Sequence, residues 1–301
     1  MRRLDVNRSA EMEVFVRVVE QGGFSAAARA LEMTPSAVSK LIARLEARLG
    51  SRLLNRSTRQ FALTPEGASF YDRSTAILAD IADAEQSAGT AVAAVGRIRV
   101  NTSASYSTHI LSPVLPEFLE RHPGVALDIA RTDAVIDLLA DRTDVAVRAG
   151  PLKSSSLVAR KLGETRMTIV ASPGYLQRFG MPSHPSELDQ YNRLGFGYVR
   201  STRGWPLRID GEVVVVPPVG RVQVSDGEGL RQLALDGVGL ARLAAFTVRD
   251  DIRAGRLVPV LEDFNPGDLE EFHAIHVGQG GPLPSRVRAL LDFLAERGRV
   301  S

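Results

Sequence analysis

The alternation of apolar and polar positions near the amino end predicts an amphipathic helix that begins at Pro35 and ends before Gly50. Its apolar residues recur with the i, i+3, i+4, i+7 spacing of one buried helix face: Val38, Leu41, Ile42, Leu45 and Leu49. Thr34 suits the cap of this helix, Pro35 suits its first position and Gly50 suits its end. The opposite face carries short polar groups followed by cations: Ser36, Ser39, Lys40, Ala43 and Arg44.

Two further helices are predicted before this one, over about 7–20 and about 25–31. Ser25 is a good cap for the second of them, and four alanines between 26 and 30 allow a neighbouring helix to approach closely. Two short helices joined by a tight turn are typical of a helix-turn-helix, whose second helix enters the major groove of DNA. The alternative is an ordinary helical hairpin with a solvated basic face.

The local charge favours the DNA-binding interpretation. Between Arg29 and Arg59 there are seven cationic and two acidic residues, a net charge of +5, whereas the whole chain carries only +2. Positive charge concentrated in this way is the electrostatic footprint of a phosphate-binding surface.

Residues 52–64 predict a hairpin directly after the basic helix. Leu53, Leu54, Phe61 and Leu63 are the apolar anchors of its two strands, and the polar tip runs from 55 to 60. A hairpin beside a helix-turn-helix is a wing, from which arginines can reach the minor groove or phosphates. The predicted DNA-binding residues are Ser36, Ser39, Lys40, Arg44, Arg56, Thr58 and Arg59.

A long helix is predicted from Thr64 to about Ala94, with Thr64 as cap and Pro65 at its first position. Its 31 residues span about 45 Å. Small and apolar residues follow a 4-then-3 spacing that is typical of a coiled-coil seam. We therefore expect a homodimer whose predicted contact residues are Phe70, Ile77, Ile81 and Ala84. The alternative is a long helix that packs only on its own domain.

From Arg97 the pattern changes to alternating strands and helices, which indicates an α/β domain with a parallel or mixed sheet. Ligands of such sheets sit outside the carboxyl ends of the strands. This rule points to residues 101–105 of the polar loop 101–108, to Thr132 with Asp133, to Arg148, and to Phe196 with Tyr198 in the second lobe. The predicted effector-binding residues are Thr102, Ser103, Thr132, Arg148, Phe196 and Asp226. Arg148, together with Arg200 and Arg203, favours an anionic, carboxylate-bearing effector. The alternatives are that these arginines are only solvated surface residues and that the serines and aspartates at helix starts are only caps.

Composition narrows the class of protein. The chain has 301 residues, of which 44% are hydrophobic and 24% charged, and it has no cysteine. It contains no signal peptide and no apolar run long enough to span a membrane, so we expect a cytoplasmic protein. Nucleotide-binding, nucleophile-elbow and zinc-protease motifs are absent from the sequence, which argues against an enzyme, a cofactor and a metal site.

Four motifs in order resemble the amino-terminal domain of the LysR-type transcriptional regulators: FSAAARAL, TPSAVSKLIARLEARLG, RLLNRSTR and LTPEG. The resemblance covers about residues 4–95. In that family the matching residues at the DNA surface are Ser36, Ser39, Lys40, Arg56 and Arg59. Leu41 is a departure, because many members carry glutamine there; if that glutamine contacts a base, this chain prefers a different operator.

The order of elements from 97 to 301 is similar to the effector domain of the same family. The resemblance implies a winged helix-turn-helix over 1–63, a linker and dimerisation helix over 64–95, and an α/β effector domain over 96–301. The effector domain has two lobes like those of periplasmic binding proteins, over about 96–164 with 268–301 and over about 165–267.

The resemblance also implies partners and a mechanism. The expected partners are double-stranded promoter DNA, a small-molecule effector bound between the lobes, and RNA polymerase, contacted by a homodimer or tetramer. Effector binding then changes lobe closure and the placement of the dimers on DNA. The alternative is a ligand-independent DNA-binding or architectural protein whose carboxyl-terminal part only oligomerises.

Overall fold

The structure is a computed structural model that describes residues 7–57, 60–87, 94–133, 138, 141, 143–150, 157–198, 204–278 and 283–301. The chain divides into two compact units, residues 1–97 and residues 98–301. In the described part of the chain, no helix combines the length and the apolar character needed to cross a membrane.

The amino-terminal unit contains four helices and one hairpin. Its elements are α1 (Arg8–Glu20), α2 (Phe24–Ala30), α3 (Pro35–Leu49), β1 (Leu54–Ser57), β2 (Gln60–Leu63) and α4 (Pro65–Ser87). The expected cap of α3 is confirmed, because the Thr34 side chain accepts a hydrogen bond from the N–H of Ala37. Gly50 ends α3 in the left-handed conformation, with φ of 68°. The expected cap at Ser25 is wrong, because α2 begins at Phe24 without a side-chain cap.

The three helices α1, α2 and α3 enclose one apolar core. Its fully buried members include Phe15, Ala27, Val38, Ile42 and Leu45. The alanine at 27 has no exposed surface, which agrees with the close helix approach that its small side chain allows. The apolar face of α3 is thus turned inward except at its last residue, Leu49, which is exposed, and the polar face remains at the surface.

Helix α4 divides its expected dimerisation residues between two environments. Phe70 packs on the core of its own unit, with its ring centroid 5.5 Å from that of Phe15. The start of α4 thus lies against α1, where that ring is only partly buried, and the predicted dimer contact of Phe70 stays a prediction. Ile77 and Ile81 remain exposed by 43% and 37%. The backbone of Ala84 is helical, but its side chain lies outside the description.

The carboxyl-terminal unit is built on a large mixed sheet. Its strands are β3 (Gly96–Thr102), β4 (Val125–Arg131), β5 (Val145–Ala149), β6 (Leu157–Ala171), β7 (Gly195–Phe196), β8 (Trp205–Ile209), β9 (Glu212–Val216), β10 (Gln223–Val224), β11 (Ala241–Ala244), β12 (Val258–Val260) and β13 (Leu269–Val277). The order in the main sheet is β11-β6-β13-β5-β3-β4, and β12 also pairs with β6.

Strand β6 joins two lobes. Up to Arg166 it pairs with β13, and from Met167 it pairs with β11 and β12. Lobe 1 contains β3, β4, β5 and β13, and lobe 2 contains the elements from β7 to β12. The sequence predicted a strand only from Met167, because four of the ten residues 157–166 are charged and the segment shows no regular alternation.

Helices cover the sheet: α5 (Ala104–Tyr106), α6 (Ser112–Arg121), α7 (Pro173–Phe179), α8 (Gly227–Leu235), α9 (Ala245–Arg253) and α10 (Ser285–Arg297). A π-helical segment, Ser107–Leu111, makes α5 and α6 continuous, so most of the expected loop 101–108 is helical instead. The Tyr106 hydroxyl donates to the carbonyl of Gly298 at 2.6 Å. The helix expected over 134–140 lies outside the described residues.

Candidate nucleic-acid interface and interlobe junction

The polar face of α3 presents a stripe of three exposed side chains. Ser36, Lys40 and Arg44 are all exposed and are separated by four residues each, so they lie one above the other along the helix. Ser39 lies beside them and is half-buried. Short hydroxyls near the start of the helix and cations further along suit an approach to bases and phosphates in the major groove.

The first turn of α3 is held by a small hydroxyl cluster. Thr34 Oγ1 accepts from the N–H of Ala37 and lies 3.2 Å from Ser36 Oγ. The free N–H groups of this turn make the helix start electropositive, which favours contact with a phosphate. The sequence-predicted cap and the predicted DNA-contacting serine thus share one hydrogen-bonded turn.

Two charged residues of α3 have structural partners instead. Arg48 donates to Glu11 Oε2 from Nε at 3.1 Å and from Nη2 at 2.8 Å, and the Glu11 side chain is only 3% exposed. Glu46 Oε1 accepts from the N–H groups of Leu53 and Leu54, at 2.8 Å and 3.2 Å. The first pair fixes α3 against α1, and the second fixes α3 against the hairpin. The spacing of residues in the sequence gave no signal for either of these contacts.

The hairpin expected after α3 is present, but its strands extend into the predicted tip of 55–60, because β1 continues to Ser57 and β2 begins at Gln60. Leu54 pairs with Leu63, and Arg56 pairs with Phe61. The backbone position of Arg56 is therefore on β1, but its side chain lies outside the description. Thr58 and Arg59 lie entirely outside the described residues, so their predicted DNA contacts stay predictions.

In the carboxyl-terminal unit, five of the six expected effector residues lie at ends of elements where the two lobes meet, and the sixth, Phe196, lies on β7. We name this region the interlobe junction, and it comprises the carboxyl ends of β3, β4 and β5 with the amino ends of α5 and α8. Thr102 is fully buried, and its hydroxyl donates to Ser103 O at 3.4 Å. The N–H of Thr132 donates to Thr102 O at 3.0 Å. Thr102 therefore shapes the junction from inside the sheet and presents no surface to a ligand.

Ser103 and Asp226 are the caps of the two helices at the junction. Ser103 Oγ accepts from the N–H of Tyr106 at 3.2 Å, and Asp226 Oδ1 accepts from the N–H of Gly229 at 2.8 Å. The cap interpretation considered from the sequence is therefore correct for both residues. Phe196 lies on β7, beside β10, and its ring centroid is 5.2 Å from that of Tyr198.

Arg148 is a half-buried cation at the end of β5. Its guanidinium donates to Val147 O at 3.0 Å and to the Asn101 side chain. Burial lowers the pKa of Arg148, and the negative charge of Asp133 acts in the opposite direction. A guanidinium with reduced solvation gains from an anionic partner, so this position suits a carboxylate group of a ligand.

Three residues at the junction connect the lobes, and two of them were not among the sequence-predicted candidates. Asp133 accepts from the N–H of Ala104 in lobe 1 and of Gly227 in lobe 2, both at 3.2 Å. His109 Nε2 lies 2.9 Å from Glu228 Oε2. His109 and Glu228 are 119 positions apart. No local pattern could therefore have paired them.

Behind this contact, Glu228 continues into a charged cluster. Arg231 bonds Glu228 Oε1 and Asp251 Oδ2, each at 2.6 Å, and Arg256 Nε bonds Asp251 Oδ1 at 2.8 Å. Burial opposes ionisation of both carboxyl groups, but the hydrogen bonds outweigh it: those from His109 and Arg231 to Glu228, and those from Arg231 and Arg256 to Asp251. The pKa of each carboxyl group therefore lies below its ordinary value.

Comparison with known families agrees with this architecture. Residues 9–68 match the family model of the bacterial regulatory helix-turn-helix protein, lysR family, and residues 93–299 match that of the LysR substrate binding domain. The two matches fall on the helix-turn-helix unit and on the two-lobed unit.

Relatives match along almost the full chain. The HTH-type transcriptional regulator CrgA of Neisseria meningitidis serogroup C is 39% identical over 294 residues, which is 96% of each chain. The HTH-type transcriptional activator AaeR of Escherichia coli K12 is 30% identical over 300 residues, 98% of this chain and 96% of the relative.

Solved structures of similar proteins support the same family assignment. A structure of CrgA from Neisseria meningitidis gives a TM-score of 0.64 at 37% identity, over 97% of this chain and 99% of that chain. The full-length structure of AphB from Vibrio cholerae gives a TM-score of 0.58 at 28% identity, over 95% of this chain and 98% of that chain. The protein belongs to the LysR family of transcriptional regulators, and therefore to a family of DNA-binding regulators and not of enzymes.

Proposed function

We propose that this regulator reads promoter DNA with the exposed face of α3, and that a small-molecule effector bound between the lobes sets its activity. The observation that carries the DNA part is the exposed stripe of Ser36, Lys40 and Arg44 on a helix whose other face is buried. Ser39 and the wing residues Arg56, Thr58 and Arg59 extend the proposed surface, with the wing on flanking phosphates or the minor groove.

The proposed DNA-binding form is a homodimer, or a tetramer made of two dimers. Exposed Ile77 and Ile81 on α4 support a partner helix there, because large aliphatic side chains on a helix surface gain free energy when another helix covers them. Two copies of α3 then address two half-sites about one helical turn apart, about 34–36 Å. We propose residues 1–63 as the DNA-binding domain, 64–95 as the linker and dimerisation helix, and 96–301 as the effector domain. RNA polymerase is the proposed protein partner of the DNA-bound form.

Protection footprinting tests the DNA part. Purified protein is titrated onto promoter fragments that flank its own gene and the neighbouring genes. The expected result is a protected region with two half-sites in the same face of the duplex, about ten base pairs apart. A protein that protects no sequence on any of these fragments contradicts the proposal.

The effector part is supported by Arg148, a half-buried cation near the ends of β3 and β4. We propose a small carboxylate-bearing effector, with Thr132, Phe196 and the neighbourhood of Asp226 around it. Trp205 is the only tryptophan in the sequence, and it is 4% exposed in the core of lobe 2, so thermal stability is a more direct readout than its fluorescence.

A thermal-shift screen of small carboxylates tests the effector part. The expected result is a rise in Tm with one class of compound, which Arg148→Met in lobe 1 abolishes and which Arg178→Met, a change on α7 of lobe 2, retains. Silence across a broad metabolite pool would favour the alternative, in which the carboxyl-terminal unit only assembles subunits.

A further inference from the structure

The side chain of Asp133 touches both lobes at once. Its Oδ1 accepts from the N–H of Ala104, the first residue of α5 in lobe 1, and its Oδ2 accepts from the N–H of Gly227, the first residue of α8 in lobe 2. Each bond measures 3.2 Å. One carboxylate thus joins the amino ends of two helices that belong to different lobes.

These two N–H groups need an acceptor from outside their helices. The first N–H groups of a helix have no intrahelical partner. The caps Ser103 and Asp226 serve the third residue of each helix, Tyr106 and Gly229, so they leave the first N–H of each to another acceptor. A carboxylate is a strong acceptor at this place, because it is charged and both helix ends are electropositive.

Two further observations show how closely the lobes approach at the same place. A β carbon on Gly227 would lie 2.7 Å from Ser105 Oγ, so only glycine fits there without a shift of the serine. One residue further along α8, Glu228 Oε2 lies 2.9 Å from His109 Nε2, whose side chain is only 19% exposed. The bridge is therefore a tightly packed contact with a second polar link.

We propose that Asp133, assisted by the His109–Glu228 contact, is an interlobe latch that holds the effector domain closed when no ligand is bound. This inference rests on the proposed function of the junction and adds its regulation. The closed form of the effector domain then exists without a ligand. An effector shifts the equilibrium between the latched and the released forms by binding one of them more tightly. Asp133 is a positioning residue in this account, because it orients the two lobes and is itself held by backbone N–H groups.

Amide hydrogen exchange on the full-length protein, without DNA or effector, tests the latch. Asp133→Asn keeps the shape of the side chain and removes its charge and one of its two acceptors. We expect exchange at Ala104 and Gly227 to accelerate by at least about tenfold, because hydrogen bonds to a charged acceptor are stronger than neutral ones. Asp236→Asn is the matched control, because Asp236 is exposed at the other end of α8; it should leave both amides at the wild-type rate.

The outcomes separate the possibilities. Faster exchange at Ala104 alone would overturn the proposal, because Asp133 would then serve only its own lobe. Unchanged exchange at both amides would overturn it as well. If Asp133→Asn does not fold, Glu228→Gln decides: faster exchange at Gly227 supports the latch, and the wild-type rate contradicts it. Neither result depends on DNA binding, so failure of the latch and failure of the proposed function are distinguishable.

Discussion

At the scale of single residues, acidic side chains organise both units. Glu46 ties α3 to the wing through two N–H groups, and Asp133 ties lobe 1 to lobe 2 through two others. In both cases one carboxylate accepts from two backbone donors and thereby connects separate parts of its unit. Loss of such a contact lowers the free energy of unfolding, because the donors remain buried without an acceptor.

Replacement of Glu46 by alanine is expected to destabilise the amino-terminal unit by about 1–3 kcal/mol, because the N–H groups of buried Leu53 and Leu54 lose their acceptor. Circular dichroism during urea unfolding measures the change. Glu46→Gln is the matched control, since its amide oxygen still accepts, and it should recover most of the stability. Equal stability of the alanine variant and the wild type would show that these bonds contribute nothing.

At the scale of elements, helices α4 and α8 each combine an internal and an external role. The start of α4 packs on α1 through Phe70, whereas Ile77 and Ile81 further along remain exposed. The start of α8 meets lobe 1, and Arg231 in its middle meets Asp251 of α9. In α4, the start packs within its own unit and the later exposed residues are available for assembly. In α8, the start contacts lobe 1 and the middle packs within lobe 2.

Ile77→Asp with Ile81→Asp is expected to shift the protein from dimer to monomer, because two carboxylates would lose hydration in an apolar helix contact. Sedimentation velocity at micromolar concentration measures the state. Ala76→Asp introduces a carboxylate on a different, exposed face of α4 and should leave the dimer intact. A double variant that sediments like the wild type would remove these residues from the dimer contact.

Asp251→Asn is expected to lower the stability of the carboxyl-terminal unit by about 1–3 kcal/mol near neutral pH, because the charged hydrogen bonds from two arginines are lost, although Arg231 keeps Glu228 and Arg256 is exposed. The pKa of Asp251 is lowered in the folded protein, so its contribution is present above the ordinary aspartate pKa of about 3.9 and is lost as pH falls through the folded value. The difference in Tm between variant and wild type should therefore shrink when the pH is lowered from about 6 to about 3. A difference that does not depend on pH would contradict this account of the cluster.

At the scale of the whole molecule, the parts that the sequence predicted are those with a local signal. Thr34, Pro35 and Gly50 mark the ends of α3 because capping depends on neighbours in sequence, and the apolar stripe of Val38 to Leu45 marks its buried face. The course of β6 was missed before Met167, because its charged residues pair with β13 more than 100 positions later. The links from Asp133 and from His109 were missed for the same reason: they join residues that only the folded chain brings together.

If the exposed face of α3 binds DNA, the salt dependence of operator binding reports on the phosphate contacts of its cations. Fluorescence anisotropy with a footprinted promoter fragment is recorded over a range of salt concentrations for the wild type, Lys40→Ala and Lys161→Ala. Lys161 is an exposed lysine of the other unit, where it bonds Glu164 and Glu271, so its removal is the matched loss of one positive charge.

If Lys40 neutralises a phosphate, its removal weakens binding and reduces the slope of log K against log salt by about 0.9, whereas Lys161→Ala leaves both unchanged. If Lys40→Ala binds the fragment with wild-type affinity and wild-type slope, α3 does not face the duplex in this way and the account is wrong.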